Sequence, residues 1–418
     1  MYSKPYTLIM RTFLSFLLLV CISLLIDCKH APIQIEEIQV DENKTHHINV
    51  DSAYEQIDLK LSDLADSFRL IRLETSNKAI INATDYYISE KYIIAISENG
   101  LFKFSSDGKF LNKIINWGRG PDEVSGMFFA YFYDDNKDLL FIDDLNLKKK
   151  LLVYDINLEK FLTPIKKAVE GPWGSFAILN DSLIIGKSPN YVDEPFAVFI
   201  QSFDGRFISG VPNVKKRLLG ENPEEKFQPS YLSIAGNDYR ISFELDDTLF
   251  TFKNNQLVPY IILDFKKPRE TPPNAKVKKG DRQVTFPKTE APGFLIVRVS
   301  VIDEINWVSA TTGDSKTSFK YFLLNKSTGK YSLIRTYVDD FSGEIQSPND
   351  GTIKLPGILK NGKLVVIYQP SMIKKIAENG LNNSLFAPNV KEDLLKINED
   401  LQETDNPILL VGRIKEKI

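Results

Sequence analysis

The chain has 418 residues, 43% of them hydrophobic and 26% charged, with a formal net charge of −3. That balance is ordinary for a globular protein and lacks the basic excess that marks a nucleic-acid binder. Two cysteines, Cys21 and Cys28, are the whole complement, so a disulfide framework is excluded and stability has to come from a large apolar core.

In chain order, the first thirty residues read as an export leader. Lys4 and Arg11 precede the apolar run Phe13–Ile26. Its length of about 14 residues suits a signal-peptide core and falls short of the ~20 needed to span a bilayer. Met1 and Met10 both stand as possible starts. The run ends at Leu25-Ile26-Asp27-Cys28, which resembles a bacterial lipobox, with Asp27 standing where such motifs prefer Gly, Ala or Ser. The expectation is a signal peptide over 1–27, lipid attachment at Cys28, and a polar tether over 28–55.

From about Lys60 the apolar pattern takes the period of a strand. Tyr92–Ser97 reads as a buried strand, and Asn99-Gly100 and Asp107-Gly108 turn it into two further runs ending at Phe110. Short β-rich runs joined by such turns are the sequence form of consecutive hairpins. The unit recurs at Leu139–Phe161, Leu183–Phe207, Tyr239–Asp264 and Trp307–Tyr331, and a sixth copy joins Lys363–Tyr368 to Ile408–Ile414. The equivalent aromatics Phe110, Phe161 and Phe207 are spaced by 51 and 46 residues. A repeat of that length with three or four short strands predicts an all-β, six-bladed β-propeller over 56–418. Asp66–Leu73 alternates without a nearby partner, so it is expected to pair with Ile408–Ile414 and close the ring. Two segments break the rhythm. Lys266–Gly293, with eight Lys/Arg, three Asp/Glu and five prolines, reads as a basic loop, and Val390–Glu403 reads as a short helix.

Several stretches carry a resemblance to the six-bladed β-propeller lipoproteins of Bacteroides-like bacteria, which are related to TolB-like and NHL-repeat propellers. These are Leu61–Thr75, Lys109–Val124 with its Gly-Arg-Gly-Pro loop, Leu139–Phe161, Glu244–Asp264 and Asn406-Pro407. The resemblance implies an envelope lipoprotein with a six-bladed architecture and implies no activity.

The histidines, His30, His46 and His47, all fall in the segment read as tether. A Ser-His-Asp triad, a cysteine nucleophile and a His-ligated metal are therefore not expected in the propeller, nor is any cofactor. Asp134–Asp138 lacks the alternating ligand pattern of a calcium loop and reads as a hairpin turn. Trp117, Arg119, Asp122 and Glu123 form the most distinctive local string. They are the candidate ligand-facing loop, with a purely structural turn around Gly118, Gly120 and Pro121 as the competing reading. The reading is a monomeric, lipid-anchored envelope module that binds a glycan, a peptide or a partner protein and no nucleic acid. The alternative is a carboxylate-dependent hydrolase or lyase at the mouth of the central channel.

Overall fold

In the computed structural model, the described residues are 45–415 except 119, 121–122, 126–127, 145, 189–194, 213–230, 236–237, 243–246, 254–255, 267–281, 286–288, 303–316, 349–352, 360 and 381–387. They form six sheets of four to six strands. From the axis outward, blade 1 holds Ala83–Ile88, Tyr92–Ser97, Gly100–Ser105 and Phe110–Trp117, with Glu123–Val124 added at its rim. Blade 2 holds Phe128–Asp134, Leu139–Asp144, Lys150–Asp155 and Lys160–Phe161, with Ile165–Lys166 continuing the outer edge. Blade 3 holds Ser175–Ile178, Leu183–Lys187, Phe196–Ser202 and Phe207–Pro212.

Blade 4 holds Tyr231–Ala235, Asp238–Ser242, Thr248–Lys253 and Gln256–Asp264, and blade 5 holds Arg282–Thr285, Phe294–Ile302, Thr317–Asn325 and Lys330–Asp339. Blade 6 takes Gly357–Ile358, Lys363–Tyr368 and Ile408–Ile414 from the C-terminal part of the chain and Ala65–Arg72 from the N-terminal part. Ile408 pairs with Arg72 and Ile414 with Ala65, so the two ends of the propeller share one sheet, as the unpartnered alternating strand predicts.

The core is a ring of seams between blades rather than one central mass. Ile96, Leu101, Leu140 and Tyr154 fill the seam between blades 1 and 2. Phe141, Trp173, Phe199 and Ile241 run through the seams joining blades 2, 3 and 4. Leu249, Ile261, Val297 and Phe322 seal blades 4 and 5, and Ile71, Ile93, Phe102 and Leu409 seal blade 6 to blade 1. Two-faced burial of this kind turns the strands into near-continuous apolar runs, such as Ile93–Ile96 and Val198–Ile200.

Two expectations, the extent of the tether and the loop over Lys266–Gly293, are corrected by the structure. The tether does not extend to residue 55, because His46–Asn49 lies parallel to the outer strand of blade 4 and pairs His46 with Ile261. Gln56–Lys60 likewise lies parallel to the outer strand of blade 5. His46 and His47 thus belong to a strand on the rim. Lys266–Gly293 is not wholly a loop, since Arg282–Thr285 is the innermost strand of blade 5.

Blade 5 also uses Phe294–Ile302, while Trp307–Thr311 lies outside the described residues. Finally, the helix expected near Val390 is Pro388–Asn398 and is preceded by a second, Pro370–Gly380. Both are inserted between the second and third strands of blade 6. Ile373, Ile376, Val390 and Leu394 bury against Leu70, Leu410 and Ile414 of the closing strands.

Candidate functional site

Antiparallel alternation brings two sets of connections to one end of the blades. These are the passages from each outer strand to the next inner strand, and the loops between second and third strands. At this end of blades 1 to 3 the described residues build a continuous set of braces. Trp117 closes the outer strand of blade 1, is half-buried, and donates its indole Nε1–H to the Ser97 carbonyl at 2.9 Å. The Glu123 carboxylate turns back into its own loop and accepts the Gly120 amide at 2.8 Å. A Cβ at Gly118 would stand 1.8 Å from a Glu123 oxygen, so a side chain there would displace the carboxylate folded over it. Arg119 and Asp122 lie outside the described residues, as does Cys28. Of the four loop residues, Glu123 is therefore bound into the turn itself, and Trp117 is tied to the end of the second strand of blade 1.

Asp144, at the end of the second strand of blade 2, accepts the Ser125 amide and hydroxyl, each at 2.8 Å, which ties the preceding passage down. Its neighbour Asp143 is fully buried. It accepts from the equally buried Lys167 ammonium and takes the Trp173 amide at 2.6 Å. Lys167 also donates to the Gly171 carbonyl at 2.8 Å and stands 5.0 Å from the Trp173 ring centroid. Burial pushes the Asp143 carboxyl above its ordinary range, against the pull of the Lys167 charge and the Trp173 amide.

A second buried charge cluster braces blades 4 and 5. Arg240 donates to Glu290 through Nε and Nη2 at 3.1 and 3.0 Å and to the Thr251 hydroxyl at 2.7 Å. Its guanidinium lies 3.7 Å over the Tyr260 ring. Lys326 joins the same carboxylate at 2.6 Å. His46 stacks edgewise on Tyr260, and burial together with Arg240 and Lys326 holds its pKa below the usual 6.5.

The acidic turn Asp134–Asp138 is a brace too. Asp138, at φ 52°, accepts from Lys91, Asn157 and Tyr133 at 2.7 to 3.0 Å. No group of three or more His, Cys, Asp or Glu suited to a metal occurs among the described residues. An apolar cavity of about 260 Å³ lies beside the closing strand, lined in part by Leu61, Phe68, Phe341, Val390 and Lys415.

The feature at this end that no brace uses up is basic. Lys148 and Lys149, between the second and third strands of blade 2, and Lys150, which opens the third, are exposed in succession. Lys150 pairs directly across the ladder with the exposed Lys166. The Lys149 and Lys148 carbonyls accept the Lys167 and Gly171 amides at 2.9 Å, which fixes this ridge on the rigid Asp143–Lys167 brace. Lys149 meets Glu170 at 3.2 Å, and among the described residues Lys148, Lys150 and Lys166 have no ion-pair partner. The ridge went unread in the sequence. Its signal was available in the run Lys148-Lys149-Lys150 and the doublet Lys166-Lys167, but only the fold sets them side by side.

Comparison with known proteins gives a family and a fold. The profile of a family described as a domain of unknown function, DUF4934, matches residues 45–413. Among solved structures, a candidate exported protein of Bacteroides fragilis is similar with a TM-score of 0.58 and 15% identity, over 89% of this chain and 99% of that one. Hydrazine synthase of Kuenenia stuttgartiensis aligns at a TM-score of 0.39 and 12% identity, over 81% and 88% of the two chains. The WD40 repeats of RRP9 align at 0.38 and 10% identity, over 84% and 99%. No curated protein matches.

Proposed function

The chain belongs to the DUF4934 family, whose description assigns no activity, and we propose that this propeller is a non-enzymatic binding module whose basic ridge on blade 2 takes an anionic ligand, an acidic glycan first among them. The observation that carries the reading is the cross-strand pair Lys150–Lys166 flanked by Lys148 and Lys149. Like charges directly opposite each other on a ladder are destabilising, and an anion lying along the ridge relieves that repulsion. The acids nearby support binding over hydrolysis. Asp143, Asp144 and Glu123 each hold backbone amides in place, whereas a glycosidase needs two carboxylates facing one another across a cleft.

The test is binding of a uronic-acid polysaccharide, with a neutral glucan as control, across a salt series. Replacing Lys148, Lys150 and Lys166 together by Glu is expected to weaken binding at least about tenfold and flatten its salt dependence. Equal binding by the variant, or binding indifferent to salt, would overturn the reading.

Export and lipid attachment at Cys28 belong to the same proposal, supported by the leader Lys4–Ile26 and the lipobox-like Leu25–Cys28. An anchored propeller would hold the ridge at a membrane surface in the cell envelope. Mass spectrometry of the mature N-terminus checks this: an unacylated Cys28, or cleavage elsewhere, removes the anchor.

A further inference from the structure

The cavity beside the closing strand lies where that strand departs from its ladder. Arg69 pairs with Val411 and Asp66 with Arg413, so Ser67 and Phe68 together face the single residue Gly412. This is a β-bulge, with the extra residue on the strand contributed by the N-terminal part of the chain. Ser67 carries it at φ 53°, in the left-handed region that non-glycine residues rarely adopt. Phe68 lays its ring over Gly412, where a Cβ would stand 2.5 Å from it, and becomes a half-buried wall of the cavity. Bulges re-aim side chains, and the ring re-aimed here borders a space of about 260 Å³.

The rest of the lining is largely apolar and held in place. Leu61, Ala65, Val390 and Leu410 are each no more than 2% exposed. Phe341, on the turn after the outer strand of blade 5, donates its amide to Asp339 at 3.1 Å, and its ring lies 5.1 Å from that of Tyr368. Two charged groups border this lining closely. Asp340 is buried, and its oxygens accept the Ser62 amide at 3.1 Å and the Ser62 hydroxyl. Lys415 is half-buried, and among the described residues its ammonium meets one acceptor, the Ser62 carbonyl at 2.6 Å. An ammonium is a triple donor, so it keeps capacity for a ligand. The exposed Asp66, also in the lining, faces Arg413 at 3.5 Å.

An apolar cavity with a donor-rich cation in its wall selects a ligand with an apolar body and an anionic end. The volume exceeds the roughly 150 Å³ that takes a benzene ring and falls short of the ~300 Å³ at which pockets for larger ligands begin. The body is thereby limited to one ring or a short acyl chain. We propose that this cavity is a second binding site, separate from the ridge on blade 2, and that it takes a small apolar monocarboxylate. The carboxylate accepts from Lys415, and the body lies against Phe68, Phe341 and Val390.

Calorimetric titration of the full-length protein with octanoate and with 3-phenylpropionate tests this, the pair distinguishing an acyl chain from an aryl body. Octanol and octylamine are the neutral and cationic controls. At least one acid is expected to bind saturably, and both controls at least about tenfold more weakly. Lys415→Met keeps an unbranched side chain and is expected to weaken the acid at least about tenfold while leaving octanol unchanged. Val390→Phe fills the space from the helix side and is expected to abolish binding of the acid; should that variant fail to fold, Lys415→Met decides. Equal binding of the acid by Lys415→Met, or by a Val390→Phe protein with its native thermal midpoint, would overturn the proposal. A preference for octanol or octylamine, or no saturable binding of either acid up to about 1 mM, would do the same.

Discussion

Ring closure can be tested at a single atom-sized contact. A Cβ added at Gly412, in the third strand of blade 6, would lie 2.5 Å from Cε1 and 2.7 Å from Cδ1 of Phe68, on the strand contributed by the other end of the chain. Ordinary carbon contacts are about 3.5–4.0 Å, so Gly412→Ala forces ring and strand apart by roughly 1 Å. Overpacking of that kind costs about 1–3 kcal/mol, which for a domain of this size lowers Tm by roughly 2–6 °C. The cost should depend on Phe68. In a Phe68→Ala background the ring is gone, and Gly412→Ala is expected to add only a few tenths of a kcal/mol, arising from the Ala65 Cβ 3.1 Å away. Urea denaturation of the four proteins gives the coupling. If Gly412→Ala costs the same with and without the Phe68 ring, the two ends do not meet as described.

The buried Lys167–Asp143 pair predicts a second asymmetry. Lys167→Met leaves the Asp143 carboxylate without its cation and should destabilise by about 3–5 kcal/mol, whereas Lys167→Met with Asp143→Leu should recover most of that loss; denaturant midpoints distinguish the two. The strand His46–Asn49, a strap along blade 4, should respond to acid. His46 faces the cations Arg240 and Lys326, the Glu290 carboxylate, and the Tyr260 and Tyr331 rings, with the His47–Asp264 pair alongside. Its pKa is lower in the folded protein than its ordinary 6.5, so the unfolded state binds more protons in that window and strap stability falls as pH drops below 6.5. Hydrogen exchange of the strap between pH 7 and 5, corrected for intrinsic rates, should show this loss, and His46→Gln should remove it. At the corresponding strap on blade 5, Gln56–Lys60, Arg335 and then Thr336 hold the Asp58 carboxyl down to about 2. Its contribution is present above the ordinary carboxylate range and is lost as pH falls toward 2, so Asp58→Asn should make exchange there insensitive to acid.

Much of the architecture was legible because each copy repeats its outer three strands. Phe110, Phe161 and Phe207 all fall in the outermost strand of the first three blades, and the lone strand at residues 66–73 found its partner at 408–414. The inner strands were harder to read. Ser175–Ile178 and Gly357–Ile358 are short, and Arg282–Thr285 is polar in composition and sits in a Lys- and Pro-rich stretch that reads as loop. The straps hid for a related reason. His46–Asn49 carries one buried apolar residue among polar ones, and such a strand is defined by the edge it covers.

Helix Pro370–Gly380 was missed although Pro370 opens it and Ile373 and Ile376 share a face, because the strand Lys363–Tyr368 ends immediately before it. For the site, the loop Trp117–Glu123 stood out by composition, while the ridge is made by a ladder pairing between residues sixteen apart in sequence, Lys150 and Lys166.

The sharing of blade 6 between the two ends of the chain has a temporal meaning. A nascent polypeptide can assemble blades 1 to 5 as they emerge from the ribosome, but Ala65–Arg72 must wait for Ile408–Ile414, which follows the strands of those blades in the chain. The torus therefore stays open until five of its six blades have been made.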